Sequence, residues 1–224
     1  VNIAFIEEWA RFAEGVGVDL FEVIDAIRVR PTHSNIRQPG FGVGGYCLTK
    51  DPLFARFAAV EHFSRPDLDF PFSHLAVEVN SAMPLASLDR AQSMLDGGLS
   101  GKGILLLGVS YRPGIGDTRF SPSQFFLERA RNLGAHVSVH DPLVRYWPEV
   151  DLEVPVDLPS PQGVDIVVFA VAHEAYRGLD LATWLDGSKL AILDANNVLT
   201  AEQRHTLSEA GCRVECIGRG EAAS

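Results

Sequence analysis

Residues 40–52 read Gly-Phe-Gly-Val-Gly-Gly-Tyr-Cys-Leu-Thr-Lys-Asp-Pro, so Gly40, Gly42, Gly44 and Gly45 run directly into Cys47, Lys50 and Asp51. Glycines at this density let a backbone approach a ligand where a Cβ would clash. A cation near a thiol lowers its pKa and favours the nucleophilic thiolate. Lys50 is placed to do this for Cys47, and a helix beginning near Lys50 or Asp51 would add its N-terminal dipole. Asp51 has the chemistry of a base for a water molecule. The stretch formally contains G-x-G-x-x-G, but Thr32 to Pro39 is polar and turn-like. With no strand ahead of it, the stretch fails as a dinucleotide fingerprint. Taken singly, a lone cysteine is most often a small buried hydrophobe, and an Asp before a Pro is most often a helix cap. The combination is harder to explain by packing alone.

A second cluster, Gly108-Val109-Ser110-Tyr111-Arg112-Pro113-Gly114-Ile115-Gly116-Asp117-Thr118-Arg119, follows the apolar run Ile104 to Leu107. Loops at the carboxyl ends of parallel strands are where such sheets bind ligands. Arg112 and Arg119 could grip phosphate or carboxylate oxygens bidentately. Equally, both could be solvated surface arginines paired with Asp117. Cys212 and Cys216 fall on one strand face and read as core, without the second ligand pair that a zinc site needs. His33, His173 and His205 are scattered, and no Ser-His-Asp constellation is visible.

The elements that must position these clusters differ between the two halves of the chain. In the first, Ile3, Phe5, Ile6, Trp9, Phe12 and Ala13 recur at helical spacing up to Gly15 and Gly17. Asp19 caps a second helix carrying Phe21, Val23, Ile24 and Ile27, which Pro31 stops. An irregular loop covers 30–46, a short helix Pro52 to Val60, and a connection 61–70. A long helix then runs from Pro71 to Leu95, and Pro84 is expected to kink or interrupt it. Gly97, Gly98, Ser100 and Gly101 mark a boundary, giving domains at 1–98 and 99–224.

In the second half, strands are predicted at Ile104 to Leu107, His136 to Val139, Asp165 to Val171, Leu190 to Leu193 and Cys212 to Ile217. Ser121 and Pro122 open a helix to Leu133, with Gly134 closing it. Strands alternating with helices imply right-handed crossovers and a parallel sheet. The fold class is therefore α/β: an all-helical part followed by a Rossmann-like parallel sheet.

The 224 residues are 46% hydrophobic and 21% charged, which excludes disorder and coiled coil. A formal charge of -10 disfavours nucleic acid as a partner but leaves room for one anionic small molecule held by local arginines. No apolar run approaches a membrane span, so no membrane partner is expected. An odd count of three cysteines fits a reducing cytoplasm. Helical patterning begins at Val1, as in a piece of something longer.

Four segments carry a resemblance. "VNIAFIEEWARFAEGVGVDLFEVIDAI", "VNSAMP", "QPGFGVGGYCLTKDP" and "LLLGVSYRPGIGDTRFSP" with "GAHVSVHDP" resemble the UDP-glucose/GDP-mannose dehydrogenase family of nucleotide-sugar 6-dehydrogenases. The resemblance spans nearly the whole chain. It implies the central helical dimerisation domain and the C-terminal nucleotide-sugar-binding domain, with the NAD-binding domain and the family's catalytic Lys and Asn lying ahead of Val1. It implies oxidation of a UDP-sugar C6 alcohol to a carboxylate by two hydride transfers to NAD, through a thiohemiacetal and a thioester on Cys47. Asp51 would assist the hydrolytic water, and Lys50 would orient the sugar. So would the loop residues Phe41, Gly42, Gly44, Gly45 and Tyr46. Arg112, where the family usually has Lys, and Arg119 would face the nucleotide. Arg30 or Arg37 would match an arginine that the family contributes from the partner subunit of a homodimer.

Two positions depart from the family pattern: Glu7 stands where Asn is usual, and Asn196 and Asn197 stand where an Arg is common. "NIRQPGFGVGG" resembles the enzymes acting on UDP-N-acetylhexosamines more than those acting on UDP-glucose, "GYCLTKD" leans the other way, and the N-acetyl-D-mannosamine type is the one favoured. The other reading of the chain is a free-standing nucleotide-sugar-binding or dimerisation module without redox activity.

Overall fold

The run Gly103–Leu107 is apolar almost throughout and forms β1, an interior strand of a parallel sheet. In a computed structural model that describes residues 1–96 and 98–220, the helices come first. They are α1 (Asn2–Gly15), α2 (Leu20–Arg28), α3 (Phe54–Glu61) and α4 (Pro71–Met94). After β1 come α5 (Pro122–Asn132), β2 (His136–His140), and a small antiparallel hairpin of β3 (Tyr146–Trp147) and β4 (Leu152–Glu153). Then follow β5 (Ile166–Phe169), α6 (Glu174–Arg177), α7 (Leu181–Leu185), β6 (Ala191–Asp194), α8 (Ala201–Glu209) and β7 (Arg213–Cys216).

The sheet order is β2-β1-β5-β6-β7, parallel throughout, with Leu105 in register between Ser138 and Val167. Strands β1, β5 and β6 are buried on both faces, which is why they read as continuous apolar runs rather than as alternation. On one face Ile104, Leu106, Ile166, Val168 and Leu193 pack with Phe126, Leu127 and Ala130 of α5. Leu88, Ala91 and Met94 of α4 join the same core. On the other face Leu105, Leu107, Val167, Phe169 and Ile192 pack with Tyr176, Leu181, Leu185 and Leu207 from α6, α7 and α8. The second half of α4 is thus a layer of the sheet's own core, and its first half carries α1.

The end of the chain closes on its beginning. Glu14 and Glu215 both pair with Arg90 of α4. The Gly218 amide donates to Glu14 Oε1 at 2.6 Å and its carbonyl accepts from Leu20 N at 3.0 Å. Gly220 N donates to Val18 O at 3.0 Å, and Arg219 pairs with Asp19, the cap of α2.

Several expectations need adjustment. Pro84 does not interrupt α4, which runs unbroken to Met94. Proline removes the amide that would bond to the Asn80 carbonyl, and that carbonyl instead faces Gly42 of the glycine loop. The strand expected from Asp165 to Val171 is shorter, because Asp165 turns its side chain back to Gly103 N and Lys102. Cys212 is buried just ahead of β7, but Cys216 is only half-buried. It lines a cleft of about 600 Å³ with Arg90, Arg204, Arg213 and Arg219, and burial pushes its thiol up to about 12. Gly97 of the expected boundary lies outside the described residues. The hairpin at 146–153 carries no signal that the sequence reading used.

Glu7 is 3% exposed, pairs with Arg11 at 3.3 Å, and leaves Oε2 without a partner. Burial raises its pKa and outweighs the guanidinium. For a carboxyl whose folded pKa exceeds its unfolded value, the folded state binds more protons between the two, so stability falls as pH rises through that window. Glu7→Gln should flatten this slope. We expect the melting temperature of the native protein to fall from pH 4.5 toward neutrality more steeply than that of the variant, as read by thermal denaturation across pH.

Candidate active site

The glycine loop is fixed at both ends. From α4, Asn80 clamps Val43, its Oδ1 accepting from Val43 N at 2.9 Å and its Nδ2 donating to Val43 O at 2.8 Å. From the loop after β6, Asn196 Oδ1 accepts from Phe41 N at 3.4 Å while its Nδ2 donates to Ala170 O at 2.8 Å. Phe41 is buried against Phe126 of α5, with ring centroids 5.7 Å apart. From the loop after β1, Arg119 O accepts from Gly45 N at 3.0 Å. A Cβ on Gly44 would lie 2.3 Å from Phe120 O and 2.7 Å from Tyr111 Cβ, so this position has no room for any other residue. Gly45 has φ +83° and lies against the Tyr111 ring, so it requires glycine on both counts.

Cys47 emerges from this seat exposed, at the head of a tight turn in which Lys50 N and Asp51 N donate to its carbonyl at 3.3 and 2.9 Å. A 3-10 turn, Asp51–Leu53, then leads into α3. Lys50 Nζ donates to Asp51 Oδ1 at 2.7 Å and lies 4.1 Å from the Tyr46 ring centroid and 4.4 Å from that of Phe54. Its hydrogen bond to Asp51 holds the ammonium above the ordinary lysine range, with Tyr46 and Cys47 adding smaller contributions. The thiol, the ammonium and the carboxylate are therefore neighbours on one turn, with the lysine's charge turned first to Asp51.

The loop divides two cavities. The larger, about 640 Å³, is lined by Val1 to Ile3 at the start of α1, Arg37, Gly40 to Val43, Leu48, Met83 and Asn196. The smaller, about 190 Å³, is lined by Val43, Thr49, Lys50, Asn80, Phe120 and Phe125. Of the two arginines offered for the partner role, Arg37 lines the larger cavity and Arg30 does not.

Arg119 is exposed and closes on Asp117, with Nη2 to Oδ2 at 2.5 Å and Nε to Oδ1 at 3.0 Å. This is the surface pairing that the sequence left open, and it holds the Asp117 carboxyl below its usual range. Arg112 is also exposed and makes no ion pair among the described residues; its guanidinium carbon lies 5.9 Å from the Tyr111 ring centroid. Beneath Arg112, Ser110, Asp141 and His173 come together in a buried group that the sequence concealed. Burial pushes the Asp141 carboxyl up, but the hydrogen bonds from His173 and the amides of Ser110 and Leu143 outweigh it and hold the group at about 2. Asn80, Asn196 and Tyr111 were also missed. The one usable signal was that Asn80 stands four residues before Pro84, the position whose carbonyl a helical proline frees.

Comparison with known proteins follows this division of the chain. Residues 1–82 match the description "UDP-glucose/GDP-mannose dehydrogenase family, central domain", and residues 105–201 match the same family's UDP binding domain. The chain belongs to the UDP-glucose/GDP-mannose dehydrogenase family. Among relatives, it is 31% identical over 229 residues to the UDP-N-acetyl-D-mannosamine dehydrogenase of Methanocaldococcus jannaschii, covering 100% of this chain and 49% of that protein. The structure of the UDP-D-ManNAc dehydrogenase of Pyrococcus horikoshii superposes with a TM-score of 0.74 at 28% identity, covering 99% of this chain and 49% of that one. An NDP-N-acetyl-D-galactosaminuronic acid dehydrogenase from Methanosarcina mazei gives a TM-score of 0.78 at 26% identity, covering 98% and 48%. The chain thus spans about half the length of the relatives it matches.

Removing the Asn80 clamp should loosen the loop. Asn80→Ala leaves the Val43 amide and carbonyl without their partners. The expected cost is about 1 kcal/mol of stability in urea denaturation, the usual net worth of a hydrogen bond, because both groups are only half-buried.

Proposed function

We propose that the chain is the substrate-binding part of an NAD-dependent UDP-sugar 6-dehydrogenase, with a central helical dimerisation domain at 1–98 and a nucleotide-sugar-binding Rossmann-like domain at 99–224. The observation that carries this reading is the seat of the thiol. Cys47, Lys50 and Asp51 sit on one turn, docked through Gly44 and Gly45 onto the strand-end loop that bears Arg112 and Arg119. A nucleophile is thereby fixed against the face of a parallel sheet where ligands bind.

The roles follow from the chemistry of the side chains. Arg112 and Arg119 grip the diphosphate, Arg119 exchanging Asp117 for phosphate oxygens, and supply positive charge locally in a chain of net charge -10. The backbone of Phe41, Gly42, Gly44 and Gly45, with Tyr46 and Lys50, orients the sugar. Arg37 completes the pocket, with Arg30 the alternative for the arginine that crosses from a partner. Cys47 Sγ bonds to the C6 aldehyde carbon to give a thiohemiacetal. A thioester would follow only once that carbon loses a hydride to NAD held outside these residues and its hydroxyl loses a proton; water would then add at the same carbon, the C–S bond break, and carboxylate and thiol be released. Asp51 takes the proton from that water. A covalent intermediate divides the oxidation into easier steps.

The described residues contain no strand followed by a dinucleotide fingerprint, since Gly40 to Gly45 follow an irregular segment and are packed against Asn80, Tyr111 and Phe120. They do not fit NAD, so the hydride transfers are not assigned to them. The same observation keeps a second reading open, in which the chain binds a nucleotide sugar without redox chemistry. The names of the relatives from M. jannaschii and P. horikoshii favour UDP-N-acetyl-D-mannosamine as the sugar nucleotide.

A second copy of the chain is the partner we assign to α1. Phe5, Trp9 and Phe12 form an exposed aromatic stripe, joined by exposed Phe72 and Leu75 of α4. Contiguous apolar surface of this kind marks an interface. No helix among the described residues is long and apolar enough to cross a membrane, and three free thiols suit a reducing cytoplasm.

The isolated 224 residues should bind UDP yet form no NADH from UDP-N-acetyl-D-mannosamine or UDP-glucose; absorbance at the NADH band tests this. In the full-length protein, Cys47→Ser should lower kcat by at least about a thousandfold, the loss expected when a covalent nucleophile is removed, and undiminished turnover would reject its role. Trp9→Glu should shift the sedimentation coefficient from dimer to monomer.

A further inference from the structure

Ser110, Asp141 and His173 are each no more than 2% exposed, and none has been given a role above. His173 Nε2 lies 2.9 Å from Ser110 Oγ and 3.1 Å from Asp141 Oδ2, while its Nδ1 accepts from Gly114 N at 3.4 Å. With Nδ1 facing the Gly114 amide, the ring edge that can donate to the serine and the carboxylate is Nε2. Its single N–H is shared by the serine and the carboxylate. The Ser110 hydroxyl therefore accepts from the ring and donates onward to the Arg112 carbonyl at 3.3 Å. Asp141 Oδ2 also takes the amides of Val109 and Ser110, both at 2.9 Å, and its Oδ1 takes that of Leu143 at 2.9 Å.

The three residue types are those of a hydrolytic triad, but the wiring is different. A triad places its acid on one ring nitrogen and its serine on the other, leaving the ring free to take the serine proton. Here both partners share Nε2 and the opposite nitrogen is occupied by Gly114, so the serine has no base. What the ring does instead is join three strand-end loops: the one after β1, the one after β2 through Asp141, and its own after β5. It grips the first loop on both sides of Arg112, through Ser110 behind it and Gly114 beyond it.

We propose that His173 is a positioning residue for nucleotide recognition, holding residues 110–114 so that the Arg112 guanidinium is aimed at the diphosphate. This rests on the reading of Arg112 as a phosphate contact. An exposed arginine with no ion pair of its own gains a fixed direction only from its backbone, and a bidentate grip on phosphate depends on that direction. Burial alone would be met by an apolar side chain. A small ring that accepts on one edge and donates on the other meets both sides of residue 112.

The test is a double-mutant cycle on the full-length protein, with UDP as the probe in isothermal titration calorimetry. In the native background, His173→Gln should weaken UDP about tenfold, as Arg112→Ala should. Combined with Arg112→Ala it should weaken UDP less than about twofold further, because coupled residues are not additive. The kcat at saturating substrate should move far less than KM. Ser110→Ala, which removes one hydroxyl, gives the same pattern and serves if His173→Gln does not fold. Equal losses in both backgrounds would show that His173 supports the fold alone and would overturn the proposal, as would unchanged UDP affinity. A native protein that does not bind UDP would reject the functional reading itself, and this inference with it.

Discussion

Gly44 has no room for a side chain: a single added carbon would collide with the Phe120 carbonyl and with Tyr111. That closeness joins a loop of the helical half to the loop after strand β1 of the sheet. Once it is imposed, the rest of the arrangement follows. Gly45 can reach the Arg119 carbonyl, Tyr46 can meet Phe120 at 5.9 Å, and Cys47 is delivered to the turn with Lys50 and Asp51. Asn80 and Asn196 fix the approach of the loop from two further elements. The thiol is exposed, yet it follows directly on a backbone seated against Phe120 and Tyr111.

Much of this was legible in the sequence, and the reasons differ by region. Strands β1, β5 and β6 announced themselves because a sheet covered on both faces needs unbroken apolar runs. Asp19 and Ser121 were readable as caps because their oxygens have an unsatisfied amide within reach, and both accept one, from Phe21 N and Ser123 N. The Cys47 turn stood out because four glycines run directly into Cys, Lys and Asp, and the structure places Asn196, Asn80, Phe120 and Tyr111 where their Cβ atoms would be. Pro84 misled, since local propensity argues for a break while α4 is held by packing against α1 and α5 and its freed carbonyl faces the glycine loop. Asn80, Asn196 and His173 were hidden because their significance lies in contacts 37, 155 and 63 residues away in the chain.

Charge is arranged in a similar long-range manner. The chain is strongly acidic in sum, yet arginines concentrate where elements meet: Arg112 and Arg119 on the strand-end loop, Arg37 at the cavity beside α1, and Arg90 between α1, α4 and β7. Some are neutralised by a carboxylate and others are free, so net charge alone describes this surface poorly. Arg119 is held by Asp117, whereas Arg112 makes no ion pair among the described residues.

The closure of the last residues onto the first two helices bears on how the molecule is made. Glu14 is joined to Gly218 across 204 positions, and Asp19 to Arg219 across 200. During synthesis the segment that begins at Val1 emerges long before the strand that will latch it. The Glu14 and Asp19 ends of α1 and α2 lack these partners until β7 has been added to the edge of the sheet. Contacts of such separation slow folding and lengthen the time for which apolar surface is open to aggregation. Loss of residues 213–220 would remove the partners of Glu14 and Asp19 and so unlatch α1 and α2 rather than the sheet alone.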